Sequence, residues 1–185
     1  MLITQTPLRI SLAGGGTDLP AYYRKSPGAV LSTTIDKYVY VILNQRFDDD
    51  IYISYSKKEI VQSVDDIQHE LVREAMRKTG VEKGIEIAMM ADIPSSGSGL
   101  GSSSSLTVGL LNALYTYRGH QVTAEQLARE ACEIEIDICG KPIGRQDQYI
   151  AAYGGLSFLE FNSDDSVNVA PLPIGVEKQA LGASL

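Results

Sequence analysis

The chain has 185 residues, enough for one domain with a sizeable core, and its 44% apolar and 21% charged residues are ordinary for a soluble globular protein. A net charge of −7 and a pI near 4.8 argue against nucleic acid and against an anionic membrane surface as partners. The opening MLITQTPLRI lacks the basic stretch and apolar core of a signal peptide, and no run approaches the roughly 18 apolar residues of a membrane span.

The first half reads as strands. Leu2–Thr6 and Leu8–Leu12 flank Pro7, Ala29–Thr34 and Lys37–Arg46 are rich in Val, Ile and Tyr, and Ile51–Tyr55 alternates apolar with polar. A short helix is expected over Leu19–Lys25, with Thr17-Asp18 before Leu-Pro as its start. A longer helix is expected from Ser63, with Ile67, Leu71, Val72, Ala75 and Met76 as its apolar stripe and Gly80 as its stop. Ile85–Ile93 reads as another strand.

The second half opens on Pro94-Ser-Ser-Gly-Ser-Gly-Leu-Gly followed by four serines, a small-residue loop entering a helix that runs to about Tyr117. Thr123-Ala-Glu-Gln126 is a capping box, and its helix should end near Gly140. A short helix around Gln146–Ala152 and a hairpin of Gly155–Phe161 with Val167–Pro171 complete the chain. The class is α+β, a mixed β-sheet with helices packed on one side. Cys132 and Cys139 should share a helix face as reduced thiols, which fits a cytoplasmic protein. His69 and His120 read as surface residues.

Ile93–Ser105 carries the chemistry. Gly97, Gly99 and Gly101 let the backbone turn tightly, and the helix beginning near Ser102 adds its unpaired N–H groups and the positive end of its dipole. Such a cradle suits phosphates, and its serines can donate to phosphate or ligate Mg²⁺. A flexible linker is the plain alternative, but strand and helix flank the loop directly and Leu100 anchors it. A Walker loop would need a lysine that is missing here. A dinucleotide fingerprint would need a strand after the helix, where a second helix follows instead.

This segment, Pro94 with Gly97, Gly99, Leu100, Gly101, Ser102, Ser103 and Ser104, resembles the second motif of the GHMP kinases, which wraps the nucleotide phosphates in that family. The resemblance extends to Pro7-Leu-Arg9 through Gly14-Gly15-Gly16-Thr17-Asp18, similar to the first motif, and to Gly144-Arg145-Gln-Asp147-Gln148, similar to the segment bearing the catalytic aspartate. Gly15 and Gly16 stand where galactokinases carry a sugar-contacting glutamate and histidine, which argues against galactose. The family's C-terminal glycine-rich motif is missing, so residues 1–185 are read as the N-terminal, ATP-binding domain of something longer. A homodimer is left open.

The resemblance implies an ATP- and Mg²⁺-dependent kinase with a small sugar or sugar phosphate as substrate. It makes Asp147 the base, Arg9 its ionic partner, and Ser103 with Glu135 the metal ligands. Gly15, Gly16, Thr17 and Asp18 are the implied sugar contacts. Arg9 should lower the Asp147 pKa and keep it ionised. As structure alone, Asp147 reads as a turn residue, Arg9 as a surface charge and Asp18 as a helix cap. Glu133 and Asp137 read as a solvated acidic face, and Tyr38 and Tyr40 are candidates for adenine. Within the family, the triple glycine and Arg-Gln-Asp-Gln-Tyr most resemble the heptose 7-phosphate kinases of bacteria. Such a substrate needs cations for its distal phosphate, with Arg145 the first candidate and Arg24, Lys25 and Lys141 behind it. Fucokinase-like enzymes, other small-molecule kinases of the family and a non-catalytic sugar or nucleotide sensor are the alternatives.

Overall fold

A computed structural model describes residues 1–94 and 98–173. Strand β1 (Leu2–Ala13) runs straight through Pro7, and β2 (Gly28–Gln45) is one long strand where two were expected. β1 pairs antiparallel with Leu31–Leu43 of β2, with a register shift between Pro7 and Arg9 that absorbs the missing proline N–H. The other edge of β2 is divided. Its C-terminal half pairs with β5 (Ile85–Ala91), and its N-terminal half with β6 (Leu156–Phe161). β3 (Ile51–Ser54) lies parallel to β5, β4 (Lys58–Val61) extends that edge, and β7 (Val167–Pro171) closes the other. The result is a seven-stranded mixed sheet. β4 is a strand that sequence patterning had not separated from its surroundings.

The short helix α1 (Pro20–Tyr23) starts at Leu19 without a side-chain cap, so Asp18 does not cap it. Ser63 does cap, but only a single 3₁₀ turn over Val64–Asp66, and α2 (Glu70–Thr79) begins after it and ends at Gly80 in the left-handed conformation. His69 is the N-cap of α2, accepting from the Val72 N–H at 3.5 Å, with its ring edge-on to Tyr55. It is half-buried, and burial holds its pKa down, so it is a structural residue and not a free surface histidine.

Helix α3 (Ser102–Tyr117) lies against β1 and β2. Gly109 makes this contact close: a Cβ there would stand 2.7 Å from Thr6 Oγ1. Thr123 caps α4 (Ala124–Cys132) through the Gln126 N–H as the capping box predicts. The helix then widens into a π-helical turn over Glu133–Ile138, marked by the 2.9 Å bond from Cys139 N–H to Ile134 O. α5 (Gln146–Tyr153) completes the helical layer.

Inward residues of the sheet, including Val41, Leu43, Ile53 and Ile87, pack on Leu110, Leu111 and Leu114 of α3 and Val72 and Met76 of α2. A second cluster joins Tyr23, Val30, Leu159 and Phe161 to Cys132 and Tyr149. Cys132 and Cys139 are free thiols, and burial raises the Cys132 pKa well above the usual thiol range. No helix among the described residues is long and apolar enough to cross a membrane.

Candidate active site

Three segments far apart in sequence meet at the start of α3. Arg9, on β1, grips Asp147, in the first turn of α5, with two parallel bonds: Nε to Oδ1 and Nη2 to Oδ2, both 2.7 Å. Its Nη1 donates to Gly99 O at 2.7 Å, and its backbone N–H to Leu100 O at 3.1 Å. One arginine therefore ties the first motif to the glycine-serine loop and to the aspartate. Bidentate geometry of this kind fixes orientation as well as charge. Gly101, at φ +75°, closes the corner, since a Cβ there would stand 3.1 Å from Asp147 Oδ2 and 3.3 Å from Arg9 Cγ. Only glycine accepts both that φ and that proximity.

Asp147 sits in a competition. Burial raises its pKa, the Arg9 guanidinium lowers it, and burial prevails, leaving the carboxyl above the ordinary aspartate range. The expected net depression by Arg9 is thus reversed, because the closed corner around Gly101 removes water faster than one guanidinium replaces it.

On the other side of the α3 N-terminus lies a second polar cluster. Glu135, wholly buried, receives Ser103 Oγ on Oε1 at 2.6 Å and the Gln148 amide on Oε2 at 2.7 Å. The π-helical turn turns Glu135 inward while Glu133 goes out to Lys78 and Asp137 is exposed. Their assignment as an outer acidic face holds. Lys141 Nζ donates to Ser103 Oγ at 3.0 Å and stands 3.5 Å from Glu135 Oε1. No group of three or more metal-binding side chains occurs among the described residues. A hydroxyl and a carboxylate oxygen side by side are nonetheless a donor set suited to Mg²⁺, which takes one or two protein oxygens and completes its shell with water and phosphate.

Beside Ser102 and Ser103 opens a cavity of about 450 Å³ lined by Val39, His69, Leu71, Ala91, Leu106 and Lys141, among others. Val39 faces it. Strand alternation turns the neighbouring Tyr38 and Tyr40 to the opposite face, where Asp92 Oδ2 accepts from the Tyr38 N–H and the Tyr40 hydroxyl. Tyr38 and Tyr40 do not line this cavity, whose apolar wall includes Val39, Leu71 and Leu106.

Several of the residues expected to contact sugar brace the fold. Asp18 is 2% exposed and accepts from the N–H groups of Gly16 at 2.9 Å and Gln146 at 3.1 Å, and from the Gln146 amide at 3.4 Å. It caps α5 and holds the triple-glycine loop to it. Gly144 is what lets it in, because a Cβ there would fall 1.9 Å from Asp18 Oδ2. Thr17 Oγ1 is bonded to Gly14 O and to the Ala29 backbone. Gly15 and Gly16 remain exposed, and a Cβ on Gly16 would meet nothing within 4 Å. Arg145 donates to Asp165 O at 2.9 Å and lies over the Tyr23 ring, so its guanidinium belongs to the β6–β7 turn and not to the Asp147 corner. Arg24 is paired with the same Asp165. In the glycine-serine loop, Pro94 is exposed, Ser102 begins the helix, and the Ser104 side chain is buried. Gly97 lies outside the described residues.

Residues 53–155, more than half of the chain, match the family model described as the GHMP kinases N-terminal domain. The chain belongs to the GHMP kinase family. This GHMP domain is 37% identical to a D-glycero-alpha-D-manno-heptose 7-phosphate kinase of Campylobacter jejuni, over 92% of the chain and 54% of that protein. A solved structure of a D-glycero-D-manno-heptose 1-phosphate kinase from Bacteroides thetaiotaomicron superposes with a TM-score of 0.88 at 31% identity, covering 94% of this chain and 61% of that one. A mevalonate kinase of Thermococcus sibiricus is 30% identical over 70% of the chain and 38% of its own length. The chain thus spans about half the length of the curated heptose kinase it matches, and less of the mevalonate kinase.

Gln148 and Gln146 escaped sequence reasoning. Both flank Asp147, but only the folded α5 shows that one supports Glu135 and the other Asp18.

Proposed function

We propose that the protein carrying this domain is an ATP- and Mg²⁺-dependent sugar kinase, and that its acceptor is the anomeric hydroxyl of D-glycero-D-manno-heptose 7-phosphate. The observation that carries the reading is the Arg9–Asp147 pair at the mouth of the α3 cradle. Phosphoryl transfer needs an aligned hydroxyl, an acceptor for its proton and stabilised phosphate charge. Asp147 takes the hydroxyl proton as the oxygen bonds to the γ-phosphorus and the bond to ADP breaks. Arg9 holds the carboxylate in place, and an intact base with its ionic partner favours turnover over a sensor that had lost it. The start of α3, with the backbone N–H groups of Ser102 and Ser103, faces the phosphates. Ser103 and Glu135 would hold the metal, which when bound neutralises charge on the transferring phosphate.

The heptose assignment rests on the likeness to the Campylobacter protein and on the open Gly15–Gly16 stretch, which leaves room where side chains would crowd a larger substrate. The fucokinase-like alternative has a fainter counterpart, a 27% identical match to an L-fucokinase/L-fucose-1-P guanylyltransferase of Bacteroides fragilis. A panel of heptose 7-phosphate, unphosphorylated heptose, fucose and mevalonate, with ADP formation from ATP followed on the full-length protein, tests the assignment. Heptose 7-phosphate should give the highest kcat/KM. Equal efficiency with the unphosphorylated sugar would overturn the substrate, and no ATP turnover with any of them would overturn the kinase.

A further inference from the structure

Lys141 has no role in the chemistry described so far, yet its side chain joins Ser103 of α3 and Glu135 of the π-helical turn to Glu70 of α2. It follows Gly140 (φ +66°) in the connection from the π-helical turn to α5, and its backbone is pinned on both sides: its N–H donates to Glu135 O at 3.0 Å, and its carbonyl accepts from Ile143. Its stem lines the cavity beside Ser102, and its ammonium reaches Ser103 Oγ at 3.0 Å, Glu70 Oε1 at 3.4 Å and Glu135 Oε1 at 3.5 Å. Among the described residues lining that cavity it is the one Lys or Arg, and His69 is held toward its neutral form.

Two facts conflict in that geometry. Ser103 Oγ and Glu135 Oε1 are the oxygens suited to a divalent cation, and the Lys141 ammonium already uses both. An ammonium and Mg²⁺ cannot share those two atoms, because like charges a few ångströms apart in a partly buried site repel strongly. The ammonium is on a four-carbon stem with free torsions, whereas Glu135 is fixed by Gln148 and by its burial. The lysine is therefore the partner that moves, and the cavity at the head of α3, where phosphates would lie, is open to it.

Building on the kinase reading, we propose that Lys141 is a positioning residue that exchanges places with the metal. It serves as counter-ion to Glu135 until a divalent cation takes the Ser103–Glu135 pair, and then turns its ammonium to the nucleotide phosphates. Removing the charge should loosen nucleotide binding and at the same time open the cation position.

The test uses the full-length protein with Lys141→Met, which keeps most of the stem, and Lys141→Arg as the charge-retaining control. ATP affinity is measured calorimetrically with Mg²⁺ present, and Mn²⁺ affinity by electron paramagnetic resonance without nucleotide. Lys141→Met should weaken Mg·ATP binding roughly tenfold or more, as for a lost charge-assisted phosphate contact. The same variant should bind Mn²⁺ more tightly than wild type, while Lys141→Arg recovers most of the ATP affinity. A variant with wild-type ATP affinity, or with unchanged or weaker Mn²⁺ binding, overturns the exchange. Wild-type protein that binds no ATP overturns the kinase reading itself, so the two failures are distinct. Should Lys141→Met prove unfolded by circular dichroism, Lys141→Gln is held to the same two criteria.

Discussion

Asp147 shows how a single residue acquires its role from neighbours that sequence does not bring near. Asp147→Asn keeps the shape but cannot take a proton, so turnover should fall by about 10²–10⁴-fold while ATP affinity stays near wild type. Retention of more than about a tenth of the activity would remove it as the base. The pH dependence follows from the raised carboxyl pKa. A base must be ionised, so kcat/KM should fall as pH drops through a midpoint above the ordinary aspartate value. Arg9→Met removes a group that lowers that pKa, and the midpoint should move further up; a midpoint that moves down would contradict the assignment. Gly144 makes the matching point for packing. Gly144→Ala should cost about 1–3 kcal/mol of unfolding free energy in denaturant titrations, since its methyl would overlap Asp18. Combined with Asp18→Ala the two costs should be far from additive, and additivity would show that the clash is not the cause.

At the scale of elements, the glycine-serine run and its helix were legible because the residue types leave few alternatives. Gly101 at φ +75° and a helix starting at Ser102 are what glycine and a serine-rich N-terminus permit. The π-helical turn was not legible. Cys-Glu-Ile-Glu-Ile-Asp-Ile has no local mark of an i→i−5 bond, yet that turn decides which acid faces inward. The proposed metal pair, Ser103 with Glu135, spans two elements, α3 and the π-helical turn. Ser103→Ala and Glu135→Gln should each raise the Mg²⁺ concentration for half-maximal activity, and together by less than the sum of their effects, because both would act on one ion. Wild-type Mg²⁺ titration curves in both variants would exclude the pair.

For the whole molecule, β2 is the organising strand, because both the β5 side and the β6 side of the sheet hang from it. Helix α3 presses on its inner face, so the middle of α3 should carry a large share of the stability. Leu110→Ala, at a position with no exposure, should cost about 2–5 kcal/mol by chemical denaturation. Phe47→Ala, at a residue that is 100% exposed, should stay within about 0.5 kcal/mol of wild type. Equal losses would mean that the core lies elsewhere.

The residues alone were enough to read the α+β class, the helix following the glycine loop, the capping at Thr123 and Gly80, and the three motif segments. These follow from local rules: alternation, helical periodicity, and the backbone freedom of glycine. The sequence could also point to Arg9, Asp147, Ser103 and Glu135 through resemblance, and the fold does bring each pair together. Which polar residues face the site and which are tied up in holding it emerged from the fold. Asp18 and Thr17 stand in the first motif but spend their hydrogen bonds on the protein, Arg145 turns to the β6–β7 turn, and Lys141 reaches into the Ser103–Glu135 pair. The reason is physical. A polar side chain's partner is set by what lies within about 3 Å of it, and for these residues those neighbours are mostly remote along the chain.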